Sequence, residues 1–151
     1  MGTLVVTLHI LAAMFFIGPL AFAPFVGLRA LVRRDPDGIR RASRTTVLLA
    51  TGSGSVFLLG LAAAGLSNRI SLDTPWLTAS ATLSAIAVVA VLLVAAPGLR
   101  SVATLIEGGI TADGRTRARL DALRGRIGLS ATLAATAWVI VAVLMTVKPF
   151  S

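Results

Sequence analysis

The side chain best suited to chemistry is His9, the only histidine in the chain. It follows Thr3 by six residues in an apolar stretch without formal charges, so in a helix it would lie about 9 Å beyond Thr3. An ionisable side chain inside such a stretch is costly and often marks a functional site. A neutral imidazole can bind haem iron or copper. The alternative is a neutral histidine that hydrogen-bonds the backbone or a hydroxyl group of another helix.

A second ligand for haem or copper could come from Met145, near the end of the last apolar stretch. A histidine and a methionine form a known axial pair for haem, and methionine also suits Cu(I). His9 begins a helical stripe with Ala13 and Phe16, and facing alanines would let this helix approach the last one closely. Met145 ends a comparable stripe of Ala131, Ala135, Trp138 and Ala142. Two alternatives stay open: Met145 is ordinary core packing, or two copies of His9 meet at one haem in a homodimer.

Other reactive constellations are missing from the sequence. The chain has no cysteine, which excludes disulfides and thiolate metal sites, and one histidine is too few for a conventional zinc site. Phosphate-binding, dinucleotide-binding and hydrolase signatures are absent as well. The apolar stretches contain no carboxylate, which disfavours proton-coupled transport. Whether the protein is an enzyme stays open, and the residues favour a protein that is not.

The composition predicts that the elements positioning these residues lie in a membrane. The chain is 56% hydrophobic and 13% charged, with a mean hydropathy of +0.92, against about 25% charged in ordinary globular proteins. A run of about 20 apolar residues spans a bilayer as a helix. Residues 1–151 are therefore predicted to form a single all-α transmembrane domain, a four-helix bundle of two helical hairpins. Its predicted spans are residues 3–28, 45–64, 76–96 and 127–147.

Capping residues predict where the second helix begins and ends. Asp35-Pro36 combines an N-cap residue with proline at the first helical position, and Gly65 is a natural end. In the third helix, Pro97-Gly98 marks a kink or an exit, with a helical pattern that continues to Glu107.

Arginine placement predicts the topology. The connections 29–44 and 97–126 each contain six arginines, whereas the remaining connection contains one. By the positive-inside rule both basic connections are cytoplasmic, which places both termini outside. We expect anionic membrane lipids to be partners of this surface. No aromatic residue interleaves the basic runs, so no nucleic-acid partner is expected. The predicted headgroup contacts are Arg33, Arg34, Arg40, Arg41, Arg115, Arg117 and Arg119.

The first apolar stretch contains Pro19 and Pro24, which remove the amide donors for the carbonyls of Phe15 and Leu20. The resulting kink either opens a cavity or lateral groove, or is a packing feature completed by hydroxyl groups of neighbouring helices. A secretory signal peptide is the rival interpretation of this stretch. Because no basic residue precedes it, we expect an uncleaved span.

Three segments resemble a known family: Leu8-His9 with the following apolar residues, the arginine-rich hairpin around Asp35-Pro36, and the ending Leu144–Pro149. The family consists of small bacterial integral membrane proteins of unknown function (domain of unknown function 2269 type), and it is akin to the copper-resistance D membrane proteins. The resemblance implies a four-span protein of the bacterial inner membrane with an outward-facing histidine, and an association with copper or haem. Phe15–Pro19 stand where tryptophan and paired glycines are expected, and the later spans lack histidines.

Three functional hypotheses follow. The first is a non-catalytic accessory or packing subunit of a membrane complex, or a homo-oligomer, with other transmembrane subunits or itself as partner. The second is a module that binds haem b or copper through His9, with Met145 as a second ligand. The third is transport of a small neutral or lipidic molecule along the kinked first span.

Overall fold

A computed structural model of the protein describes residues 2–65, 74–108 and 114–147. All the secondary structure in this part of the chain is helical, which confirms the predicted all-α bundle. Its elements are α1 (Gly2–Val32), α2 (Pro36–Gly65), α3 (Pro75–Ala90), a π-helical segment (Val91–Ala95), α4 (Ala96–Glu107) and α5 (Gly114–Val147).

Among the described residues, four helices are long and apolar enough to cross a membrane, because α3, the π segment and α4 run on as one helix. They contain 30 to 34 residues each. At 1.5 Å per residue these lengths reach about 45–51 Å, which exceeds the hydrocarbon thickness of about 30 Å. The helices therefore continue beyond the predicted spans and include most of the arginine-bearing connections. α1 stays helical through Pro19 and Pro24.

The turn between α1 and α2 has the predicted cap. The amide of Asp35 donates to the carbonyl of Ala30 at 3.0 Å across Arg34, whose φ of 52° lies in the left-handed region. The Asp35 carboxylate then accepts a hydrogen bond from the amide of Gly38 at 2.9 Å. Pro36 occupies the first helical position, where its missing amide proton costs nothing.

The two ends of the bundle pack differently. We call one end of the bundle the basic end. It contains the α1–α2 turn, the end of α4 and the start of α5. The opposite end is called the terminal end. At the basic end α1, α2, α4 and α5 share one apolar core, in which Ile39, Leu99, Val102 and Ile127 are completely buried. At the terminal end α1 packs on α2 and α3 packs on α5, while α2 and α3 scarcely touch.

The third long helix is irregular just before Pro97. The amide of Ala96 donates to the carbonyl of Val91, five residues earlier, as in a π-helix. Proline has no amide proton, and the chain absorbs that loss in this widened turn instead of leaving the helix. Ser43 of α2 donates from its hydroxyl to the carbonyl of Ala96 at 2.8 Å, which joins α2 to the irregular turn.

Candidate functional site: the His9 contact between α1 and α2

His9 packs against α2 and forms a hydrogen bond with it. The ring atom Nδ1 lies 2.9 Å from the backbone carbonyl oxygen of Val56. A carbonyl can only accept, so Nδ1 carries the proton, and in the neutral ring Nε2 then holds the free lone pair. His9 therefore hydrogen-bonds the backbone of another helix, which is one of the two alternatives predicted from the sequence.

Gly60 makes this contact between the helices close. A Cβ atom at Gly60 would lie 2.9 Å from Cε1 of His9, which is closer than side chains pack. Gly52, eight residues earlier, allows an equally close contact with Phe16, since a Cβ atom there would overlap the phenyl ring. The stripe of His9 and Phe16 thus fits onto two glycines of α2. The sequence predicts that this stripe faces α5, whereas the contacts described for His9 and Phe16 with another helix are with α2.

Met145 lies in the last turn of α5, partly buried. The contacts that the structure gives for His9 are with Val56 and Gly60, both on α2. No group of three or more His, Asp or Glu side chains within the described ranges is arranged to hold a metal ion. The assignment of His9 and Met145 as haem or copper ligands remains a prediction.

Hydroxyl groups of α2 mostly serve their own helix. Thr46, Thr51 and Ser53 donate to backbone carbonyls three or four residues earlier, at 2.6–2.9 Å. This is the usual way to satisfy a hydroxyl in an apolar helix. These three side chains therefore do not form a continuous polar path along α2.

The predicted headgroup arginines are all exposed at the basic end. Arg40 forms an ion pair with Glu107 at the end of α4, and Arg41 lies 3.9 Å from the carboxylate of Asp35. The placement of the seven arginines at one end agrees with a surface facing anionic headgroups, and their contact with lipid remains a prediction.

Residues 3–149 match the family described as "Predicted integral membrane protein (DUF2269)". The chain belongs to this family. The match covers almost the whole length and, with the four apolar helices, establishes an integral membrane protein. No curated protein and no solved structure matches the chain. For this DUF2269 member, the family description states the membrane character and names no activity, so function must be argued from the residues.

The glycines of α2 are not among the site residues predicted from the sequence of this DUF2269 protein. The signal was present, since Gly52 and Gly60 are spaced to lie close to one helix face, as are His9 and Phe16 on α1. The pairing itself was not readable, because several small residues on α2 and α5 offer similar surfaces to α1.

Proposed function

We propose that this integral membrane protein is a non-catalytic subunit that packs against other transmembrane helices, either in a second copy or in a partner protein. The observation that carries the proposal is the exposure of α1 at the terminal end. None of residues 3–19 is buried, and Leu11 and Phe15 are 56% and 72% exposed. Helices in a bilayer associate by van der Waals packing, and this half of α1 is free to pack against a further helix.

The interior of the bundle supports a role without catalysis. Within the described parts of the four predicted spans, His9 is the only ionisable side chain, and its Nδ1–H is used by the backbone of α2. Acid–base or nucleophilic catalysis needs a second polar group within hydrogen-bond reach of the first. The hydroxyls of α2 described above are engaged with their own backbone.

The chain has no cysteine, so single cysteines can test the exposed face of α1 directly. We expect Phe15→Cys to form a disulfide-linked dimer, or a cross-link to a partner, in native membranes under oxidation. Leu58→Cys and Val139→Cys, on α2 and α5, are the matched controls because these side chains are 69% and 64% exposed. A protein that stays monomeric in membranes, with no adduct at Phe15→Cys, would contradict the proposal.

A second candidate function is binding of haem or copper at His9, and the tautomer of the ring favours it. Histidines that bind metals usually donate their other ring N–H to a carbonyl or carboxylate, which orients the ring. The Nδ1–H of His9 donates to Val56 in this way, which leaves Nε2 as the ligand atom. Met145 or a second His9 would supply the other ligand.

The two candidate functions are separable. Phe15 follows His9 by six residues, so the two side chains point about 120° apart around α1. A dimer through Phe15 would therefore not bring two His9 rings together. For the second candidate we expect a Soret band in protein purified after haem supplementation, or copper that stays bound, with either signal lost in His9→Ala. Met145→Leu tests the second ligand. Absence of both signals in the unaltered protein removes this candidate.

A further inference from the structure

A groove follows the third long helix on the outside of the bundle. Its basic-end part lies between α4 and α5, has a volume of about 200 Å³ and is lined at its polar end by Ser101 and Arg126. A second part of about 390 Å³ continues toward the terminal end along Ile86 and Val89. Leu93 and Val94 line both parts, so the two form one continuous surface.

Two local features create this groove. Gly98 lets α5 approach α4, because a Cβ atom there would lie 2.8 Å from Cγ1 of Ile127. The π segment inserts an extra residue into the turn and leaves Leu93 and Val94 on the outside, 72% and 37% exposed. π-Helical turns inside α-helices are rare and frequently occur at functional sites.

The groove matches a lipid in its length and in having an apolar course with a polar end. Residues 85–97 extend over about 18 Å of helix, close to the depth of one leaflet, about half of the 30 Å hydrocarbon core. Their side chains along the groove are apolar. At the basic end Ser101 and Arg126 are both exposed, and no ion pair of Arg126 occurs in the described parts of the chain. Arg126 directly precedes the predicted span 127–147, at the level of the headgroups.

We infer that this groove binds one anionic phospholipid from the leaflet at the basic end. The guanidinium of Arg126 and the hydroxyl of Ser101 hold the phosphate, and an acyl chain lies along Leu93, Val94 and Val89. This site differs from the diffuse attraction of the seven predicted headgroup arginines, because it places one charge at the end of an apolar groove. An apolar surface alone would attract any acyl chain, whereas the cation at its end selects an anionic headgroup.

Native mass spectrometry of the full chain in mild detergent can test this inference, with palmitoyl-oleoyl phosphatidylglycerol as the probe and the matching phosphatidylcholine as the comparison. We expect one phosphatidylglycerol to be retained in preference. Arg126→Gln should weaken its retention about five-fold, the loss for one near-surface cation. Arg124→Gln is the matched control, because two residues along α5 turn the side chain about 200° away.

A second variant distinguishes binding of a lipid from binding of a soluble anion. Val89→Trp fills the apolar part of the groove without changing the charge, so it should also lower lipid retention, while soluble glycerol phosphate should not compete. Equal losses for Arg126→Gln and Arg124→Gln would overturn the inference in favour of general electrostatics. So would full retention in Val89→Trp, or a cross-link of Leu93→Cys to another protein, which would show a helix in the groove. Circular dichroism confirms that each variant is folded.

Discussion

The basic end and the terminal end of the bundle use the same four helices in different ways. At the basic end, branched aliphatic side chains from α2, α4 and α5 are completely buried in one core that α1 also joins. At the terminal end the helices separate into two pairs, and the first half of α1 contains no buried residue in the range 3–19. The core at the basic end therefore holds all four helices together, whereas the terminal end leaves the first half of α1 exposed.

Polar groups show the same difference between the ends. At the basic end the Ser43 hydroxyl of α2 donates to the carbonyl of Ala96 on the neighbouring helix, and both groups are buried. On α3 and α5, the hydroxyl of Ser80 and the indole nitrogen of Trp138 are buried, and neither has a hydrogen-bond partner among the described residues. An unpaired buried donor costs stability. Buried hydrogen-bond donors are thus less completely paired in the α3–α5 pair at the terminal end than in the core at the basic end.

The largest expected effect comes from the core of the basic end. Leu99→Ala removes a side chain that is 0% exposed, so we expect the free energy of unfolding to fall by about 2–5 kcal/mol. Phe15→Ala, at a side chain that is 72% exposed on α1, should change it by less than about 0.5 kcal/mol. Reversible unfolding in mixed micelles measures both. Similar losses for the two variants would mean that the ends do not differ in packing.

A smaller loss is expected where α1 and α2 meet at the terminal end. Gly60→Val places a Cβ atom 2.9 Å from the ring of His9, and we expect a loss of about 1–3 kcal/mol in the free energy of unfolding. Gly54→Val is the matched control, since a Cβ atom at Gly54 would meet nothing within 4 Å. The same unfolding assay applies. A loss confined to Gly60→Val would show that α1 is held to α2 through His9, whereas equal losses would reflect helix propensity alone.

The sequence predicted features that depend on solvent and on local chemistry. Apolar length predicted the four helices, and Asp35-Pro36 predicted the start of α2, because each depends on few neighbouring residues. Pro97-Gly98 predicts a kink or an exit, with a helical pattern that continues to Glu107, and the helix does continue to Glu107, with a π turn at residues 91–95. Beside this turn the Ser43 hydroxyl of α2 donates to the carbonyl of Ala96. Local sequence holds no information about such a partner.

At the candidate site, too, some features could be predicted from the sequence and others could not. His9 stood out because a lone histidine in an apolar stretch is unusual, and the expected hydrogen bond to another helix's backbone is present. The acceptor, Val56, could not be predicted, since every residue of every neighbouring helix carries a carbonyl. The groove beside Arg126 was also missed, because it arises from an inserted turn and from the approach of α5 to Gly98.

Replacing His9 tests how strongly α1 is held to α2 at the terminal end. We expect His9→Ala to lower the free energy of unfolding by about 1 kcal/mol, a typical value for a polar contact between helices in a membrane. Thr7→Val should have almost no effect, because the Thr7 hydroxyl is exposed and donates to Thr3 within α1. Nitrogen-15 NMR of the imidazole should show the proton on Nδ1 in the unaltered protein. A proton on Nε2 would contradict the bond to Val56.

The smallest effect is expected from the ion pair that joins α2 to the end of α4. Arg40 and Glu107 are 47% and 38% exposed, so water and salt screen their attraction. A double-mutant cycle with Arg40→Gln and Glu107→Gln should give a coupling energy below about 1 kcal/mol, and less at high salt. A larger, salt-independent coupling would mean that charge pairing at the headgroup level, and not the buried core around Leu99, makes the basic end the firmer half of the bundle.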